Sequence, residues 1–157
     1  MKSLKTLLKE KKFVRVPLEL TFTNHFEIIA EINGIQGRFI LDTGASSTCV
    51  GTDCATHFKL NTKDSEIKAS GAGAANMDTQ VSHKNTLSIG SWTYDKVKLV
   101  LFDLSHVNEA LVQHHCPPVH GIIGADILRK SKAVIDYGKK CVYLKKKRVT
   151  GKKNNKA

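Results

Sequence analysis

The sequence lacks any long hydrophobic run. No stretch of its 157 residues approaches the roughly 18 consecutive apolar residues of a membrane-spanning helix. The lysine-rich first residues contain no continuous apolar core either, because polar residues separate Leu4, Leu7 and Leu8, and a continuous core defines a secretory signal. We therefore expect a cytoplasmic protein with no membrane partner.

Paired cysteines are also missing. None of the four cysteines belongs to a Cys-x-x-Cys pair, and without a secretory signal the sequence predicts reduced thiols rather than a disulfide framework. One combination, His114-His115-Cys116 with His120, could bind zinc, but adjacent side chains of a strand point to opposite faces and no other Cys/His group completes the ligand set. We expect no metal and no cofactor. The cysteines are Cys49, Cys54, Cys116 and Cys141.

Acidic residues are absent from the C-terminal end. Residues 139–157 hold nine Lys or Arg and no acid, and residues 1–15 hold six and one, whereas residues 16–138 carry a small negative balance. The net charge of +11 therefore comes from the two ends, and lysine-rich ends are typical of solvated tails. We do not expect a nucleic-acid partner, although binding of a polyanion by the tails stays an alternative. The sequence predicts a basic extension over 1–15, one domain over 16–148 and a basic disordered tail over 149–157.

Short strand-forming runs separated by turn residues fill the predicted domain. Alternating apolar residues over 13–22 and the run over 25–32 predict two strands, and Asn33-Gly34 predicts the turn into the next one. Further strands are expected over 67–89, 91–102, 119–123, 133–137 and 141–144, with short helices over 1–12, 52–59, 104–113 and 125–130. Trp92 and Tyr94 are interpreted as core or sheet-face residues. Many short strands with frequent turns indicate an all-β barrel.

Asp42-Thr43-Gly44-Ala45 is the motif that carries chemistry. It follows the apolar run 37–41, so its carboxylate comes at the end of a buried strand, where a charge is costly unless it is hydrogen-bonded or used. Gly44 permits a tight turn and close approach by another group. An Asp that merely caps a turn is the alternative interpretation.

Together with a second element, this motif resembles the aspartic peptidases of the retropepsin kind. Ile40-Leu41-Asp42-Thr43-Gly44-Ala45 fits their signature, and Gly121-Ile122-Ile123-Gly124, about eighty residues later, fits their downstream apolar-apolar-Gly element before a short helix. The resemblance extends over roughly residues 16–144. It implies a small closed acid-protease barrel with one or two short helices.

The resemblance also implies roles for individual residues. Asp42 is the expected catalytic residue, Thr43 would bond across a dimer axis, and the Gly44 amide would hold the carboxylates. A glycine-rich hairpin tip would close over the substrate as a flap. The substrate-binding candidates are Ala45, Ser46, Gly71, Ala72 and Gly73.

The chain departs from the viral pattern at two places. Ser46-Ser47 stands where viral enzymes carry acidic residues, and Ala125 stands where they carry an arginine. Both departures leave substrate preference and dimer details open.

Aspartic proteolysis needs two adjacent carboxylates that share a proton, and the sequence supplies one convincing motif. Asp136-Tyr137-Gly138 lacks the small hydroxyl residue, and Asp126 suits the first turn of a helix, so both are interpreted as structural. Cys49 as a nucleophile has no nearby base in sequence. We therefore predict an endopeptidase that forms its Asp pair across a homodimer and takes a peptide or protein substrate. A non-catalytic peptide-binding or dimerisation module of the same fold is the alternative.

Overall fold

The computed structural model describes residues 1–71 and 74–147, with the backbone alone at 66–71 and 74–77. The predicted tail over 149–157 lies outside these residues. The chain is mostly β. Its strands are β1 (Phe13–Pro17), β2 (Glu19–Leu20), β3 (Phe26–Ile32), β4 (Ile35–Leu41), β5 (Cys49–Gly51), β6 (Lys63–Gly71), β7 (Ala74–Ile89), β8 (Trp92–Phe102), β9 (Gly121–Ile123), β10 (Val134–Asp136) and β11 (Cys141–Lys145). The α-helices are α1 (Leu4–Glu10), α2 (Ser105–Gln113) and α3 (Ala125–Lys130).

Six strands close into a barrel, which confirms the predicted fold class. The order is β3-β4-β9-β5-β8-β7, and β7 returns to β3 through the pairs Glu31↔Ser88 and Ile32↔Leu87. β4 and β9 run parallel, as do β5 and β8. β2 extends the sheet beside β3, and β6 extends it beside β7.

The barrel interior is the main core. Phe26, Ile28, Ala30 and Ile32 of β3 are buried at alternate positions, as the two-residue period of a strand requires. They pack with apolar side chains from β4, β7, β8, β9 and β11 in one cluster. Trp92 belongs to this cluster and Tyr94 packs against it, which confirms the interpretation of both as core or sheet-face residues.

A second, antiparallel sheet packs on the barrel, in the order β1-β11-β10. Val142 and Leu144 of β11 join the main core, whereas Cys141 and Tyr143 face the other way and pack with Leu8 of α1. The first strand and the last strand pair from Phe13↔Lys145 to Pro17↔Cys141. The predicted domain boundary at residue 16 therefore falls inside β1.

One local prediction is wrong. Residues 52–59 form a 3-10 turn over Thr52–Cys54 followed by further turns rather than a helix. Over residues 1–71 and 74–147, no helix is long and apolar enough to cross a membrane.

Candidate active site

Asp42 is the first residue after β4, beside the last residues of β9. Ile40 and Leu41 pair with Ile122 and Ile123, and the Asp42 amide donates to the Ile123 carbonyl at 3.0 Å. The parallel ladder therefore continues into the first residue of the loop, and the half-buried Asp42 is fixed to two barrel strands through its backbone.

The loop after Asp42 hydrogen-bonds back to it. The Gly44 amide donates to Asp42 Oδ1 at 2.8 Å, and the Ala45 amide donates to the Asp42 carbonyl at 3.2 Å. Thr43 and Gly44 are exposed. Within the residues that the structure describes, the Thr43 hydroxyl has no hydrogen-bond partner, so it is free to bond outside this chain.

The far end of the loop is tied to α3 by a threonine that sequence reasoning missed. The fully buried Thr48 donates its hydroxyl to Asp126 Oδ1 at 2.7 Å and its amide to both carboxylate oxygens at 3.0 Å. The Thr48 hydroxyl also accepts the Gly124 amide at 3.0 Å. A hydroxyl residue shortly after the motif and an Asp at the start of a helix were the only available signals.

Gly124 lets the two segments approach this closely. A Cβ at residue 124 would lie 2.7 Å from the Ala45 carbonyl oxygen and 2.9 Å from the Ser47 carbonyl, which no real side chain tolerates. The adjacent Ala125 amide donates to the same Ala45 carbonyl at 2.7 Å. The two sequence elements that carry the resemblance therefore meet in one site.

The other two carboxylates considered from the sequence are engaged elsewhere. Asp126 Oδ1 accepts from the Ile127 amide at 2.8 Å as well as from Thr48, and Asp136 Oδ1 accepts from the Lys139 amide at 3.0 Å in the turn between β10 and β11. Asp126 is thus bonded to the far end of the Asp42 loop, whereas Asp136 bonds within its own turn.

The substrate-binding candidates fall into two places. Ala45 is half-buried and Ser46 exposed in the Asp42 loop. Gly71 ends β6 and pairs with Ala74 at the start of β7, so these strands form the predicted antiparallel hairpin. Ala72 and Gly73 lie outside the described residues, and the function of this hairpin as a flap stays a prediction.

The residues considered for nucleophilic catalysis or for zinc binding have structural surroundings. Burial raises the pKa of the Cys49 thiol to about 12, so the thiol is protonated at neutral pH and is a poor nucleophile. His120 Nδ1 accepts the Arg38 amide at 3.0 Å, and Cys116 is buried against Ile40 beneath α2. In the described ranges, no three His, Cys, Asp or Glu side chains group in a way that could hold a metal ion.

Comparisons with known proteins agree with this arrangement. A family model described as "Aspartyl protease" matches residues 28–127. No significant match was found among curated proteins. The fold is similar to that of a retropepsin-like aspartic protease from Rickettsia conorii, with TM-score 0.55 and 18% identity over 84% of this chain and 91% of that chain.

Two further solved structures have the same fold at low identity. The EIAV protease in complex with an inhibitor has TM-score 0.52 and 20% identity, over 75% of this chain and 98% of that chain. The retroviral protease-like domain of Ddi1 from Leishmania major has TM-score 0.52 and 12% identity, over 83% of this chain and 89% of that chain. Residues 28–127, which the family model matches, include both the Asp42 loop and the segment that begins α3.

Proposed function

The chain belongs to the aspartyl protease family and has a retropepsin-like fold, and from this premise we propose that it is an aspartic endopeptidase with a catalytic pair built from two copies of the chain. The observation that carries the proposal is the Asp42 carboxylate, which is half-buried at a strand end and bonded to the Gly44 amide. The far end of the same loop is bonded to α3 through Thr48 and Asp126, which brings the two sequence elements of the family together in one site.

The proposed reaction uses two Asp42 carboxylates that share one proton. Like charges at such short range do not both ionise, so one carboxyl stays protonated and the other is a base. The base takes a proton from a water molecule, the water oxygen attacks the peptide carbonyl carbon, and the protonated carboxyl donates to the carbonyl oxygen. Collapse of the tetrahedral intermediate breaks the C–N bond, with the proton passing to the leaving amine.

The need for a second copy follows from the partners of the other carboxylates. Asp126 is bonded to Thr48 and Asp136 to the Lys139 amide, and no hydrogen bond joins either carboxyl group to Asp42 within residues 1–71 and 74–147, which supports a pair formed with a second copy. The exposed Thr43, whose hydroxyl has no partner among residues 1–71 and 74–147, supports the proposal that this loop meets its symmetry mate.

The test is peptide hydrolysis by Asp42→Asn. The amide keeps the shape of the side chain but cannot take the proton of water, so turnover of a peptide library should fall at least about 100-fold while the melting temperature changes little. A statine-type inhibitor, which mimics the tetrahedral intermediate, should block the wild-type activity.

Asp136→Asn is the matched control, because Asp136 also precedes a turn at a strand end. That variant should retain activity. Equal activity of Asp42→Asn and wild type would refute the proposal, and a wild type that binds peptides without cleaving them would favour the non-catalytic peptide-binding module.

A further inference from the structure

The lysine-rich end of β11 is bonded to two other basic segments of the chain. The Lys146 amide donates to the Lys12 carbonyl at 3.0 Å, and Lys145 Nζ donates to the Lys11 carbonyl at 3.4 Å. The Lys145 amide also donates, at 2.7 Å, to the carbonyl of Ser131, the residue that caps the C-terminal end of α3. The fold therefore makes one basic surface from segments that lie far apart in sequence.

Three lysines from different segments act on the ring of Tyr94, and we call Lys96, Lys130 and Lys147 the lysine cluster. Lys130 Nζ donates to the Tyr94 hydroxyl at 2.9 Å and lies 4.1 Å from the ring centroid. Lys147 Nζ lies 4.4 Å from the same centroid. The hydrogen bond from Lys130, and then the charges of all three lysines, lower the pKa of the Tyr94 hydroxyl. The cluster therefore concentrates positive charge at one aromatic side chain.

No carboxylate of the described chain neutralises the lysine cluster. The salt bridges within residues 1–71 and 74–147 use Lys2 and Arg38 as their cations, so none of the three cluster lysines takes part in one. Glu10, the acid of the N-terminal extension, is bonded to Lys2 at 2.7 Å, and the Asp95 carboxylate accepts the Thr86 hydroxyl at 3.0 Å. Positive charges that are held together without a carboxylate attract an anion from solution.

The kind of cation on this surface suits phosphate groups. The cations that contact or act on Tyr94 are all lysines, and an ammonium binds phosphate as a point charge. Carboxylates of a protein partner are recognised best by the planar fork of arginine instead. Lys145 and Lys146 continue the row of positive charges from Lys147, so the surface can neutralise several charges of one polyanion.

Two features favour a nucleic-acid backbone over bases or a bilayer. The Tyr94 ring has two ammonium groups within 4.4 Å of its centroid and stacks on Trp92 at 6.3 Å, so it offers no open face on which a base could stack. Residues 94–96, 130 and 145–147 contain none of the large exposed hydrophobic side chains of the described structure. Binding to a membrane surface uses such side chains together with cations.

We propose that the lysine cluster and the lysine-rich end of β11 bind the phosphate backbone of double-stranded nucleic acid, without preference for a base sequence. A duplex carries about one negative charge per 1.7 Å of its axis, which supplies the dense row of phosphates that several adjacent lysines require. The sequence left polyanion binding to solvated tails, whereas this surface belongs to the folded part of the chain. Binding does not depend on peptide hydrolysis, so it stands or falls separately from the proposed function.

The test is fluorescence anisotropy of a labelled DNA duplex of about 20 base pairs, titrated with the full chain at several salt concentrations. If about four phosphates are neutralised, the affinity should fall about 100-fold between roughly 50 and 200 mM salt. A variant that combines Lys96→Gln, Lys130→Gln and Lys147→Gln should bind at least about tenfold more weakly. Its plot of log affinity against log salt should be shallower by about two to three units.

A matched control separates the lysine cluster from net charge. The combination of Lys59→Gln, Lys63→Gln and Lys84→Gln removes the same three charges from exposed lysines of other segments, and it should change the affinity less than about threefold. Deletion of residues 149–157 should weaken binding less than loss of the cluster does. Equal losses in the two triple variants, or loss of all binding on the deletion, would overturn the proposal.

Two further measurements test the identity of the ligand and the folding of the variant. Poly-glutamate of matched charge and phosphatidylserine vesicles should compete with the duplex only weakly, and equal competition by either would overturn the assignment to nucleic acid. If the triple variant of the cluster does not fold, Lys130→Gln alone replaces it, with Lys59→Gln as its control. The Lys130 change should make the salt plot shallower by about one unit, and an unchanged plot would also exclude the cluster as the binding site.

Discussion

Thr48 is the buried side chain that fixes the far end of the Asp42 loop. Its hydroxyl joins the carboxylate of Asp126 to the amide of Gly124, and its own amide bonds to the same carboxylate. One buried residue thus fixes the end of the loop to the start of α3. Because Asp42 lies at the other end of this loop, its orientation depends on a contact that the carboxylate does not make itself.

Thr48→Val tests this dependence. Valine has nearly the same shape but leaves the Gly124 amide and one Asp126 oxygen without the hydroxyl, so we expect a loss of about 1–3 kcal/mol in the free energy of unfolding and a lower kcat. Urea unfolding and peptide turnover measure the two effects.

Thr86→Val is the matched control for this substitution. Thr86 also donates its hydroxyl to an Asp, with 3.0 Å to Asp95, but that pair is exposed, so the loss should stay below about 0.5 kcal/mol. Equal effects of the two substitutions would show that the Thr48 bond has no special role.

How well each of these residues could be predicted depends on how far away its partner lies along the sequence. Asp42 and Gly44 are two residues apart and bond within one turn, so a local motif sufficed to predict them. Thr48 and Asp126 are 78 residues apart, and no single-sequence pattern pairs one particular threonine with one particular aspartate.

His120, the residue before β9, bonds the start of that strand to β4 and to β5. His120 accepts the Arg38 amide at Nδ1, donates its amide to the Arg38 carbonyl at 2.8 Å, and accepts the Gly51 amide at its own carbonyl at 2.9 Å. Its ring also stacks on that of His57, with centroids 5.1 Å apart. The start of β9, the strand beside Asp42, is therefore bonded to β4 in part through the His120 ring, which can accept the Arg38 amide only while the ring is neutral.

This arrangement predicts a stability that falls in mild acid. Burial, and then the charge of His57, lower the pKa of His120 below 6.5. At pH values under 6.5 the unfolded chain takes up a proton that the folded chain resists, so the stabilising contribution is complete above pH 6.5 and is lost as the pH falls through the lowered pKa. Urea unfolding between pH 8 and pH 5 measures the slope.

His120→Asn isolates this contribution, because an amide oxygen accepts the Arg38 amide at every pH. The variant should lose less stability between pH 8 and pH 5 than the wild type does, whereas His83→Asn on the exposed part of β7 should leave the wild-type slope unchanged. If the unfolding free energy of His120→Asn fell with pH as steeply as that of the wild type, other groups would be the cause of the acid sensitivity.

The complete molecule is expected to be a pair of chains. Each chain offers one Asp42, and a water-activating pair needs two carboxylates, so both must lie near a twofold axis in an interface that uses the same patch on each copy.

Mixed dimers test the pairing directly. Wild type and Asp42→Asn are unfolded together and refolded at varied ratios, and peptide turnover is plotted against the wild-type fraction. A dimer with one carboxylate is nearly inactive, so activity should follow the square of that fraction. A straight line would show that each chain holds a complete site, and Asp126 or Asp136 would then return as the second carboxylate.

The position of β11 between β1 and β10 has a consequence for how the protein is made. Among the strands that the structure describes, β1 pairs with β11 alone, so β1 leaves the ribosome more than a hundred residues before its partner. At about 5–20 residues per second, β1 waits roughly 6 to 25 seconds, and such long-range pairings form slowly in any case. The barrel is therefore covered by this second sheet only after synthesis has passed the whole Asp42 region, and the described fold stays incomplete until β11 has emerged.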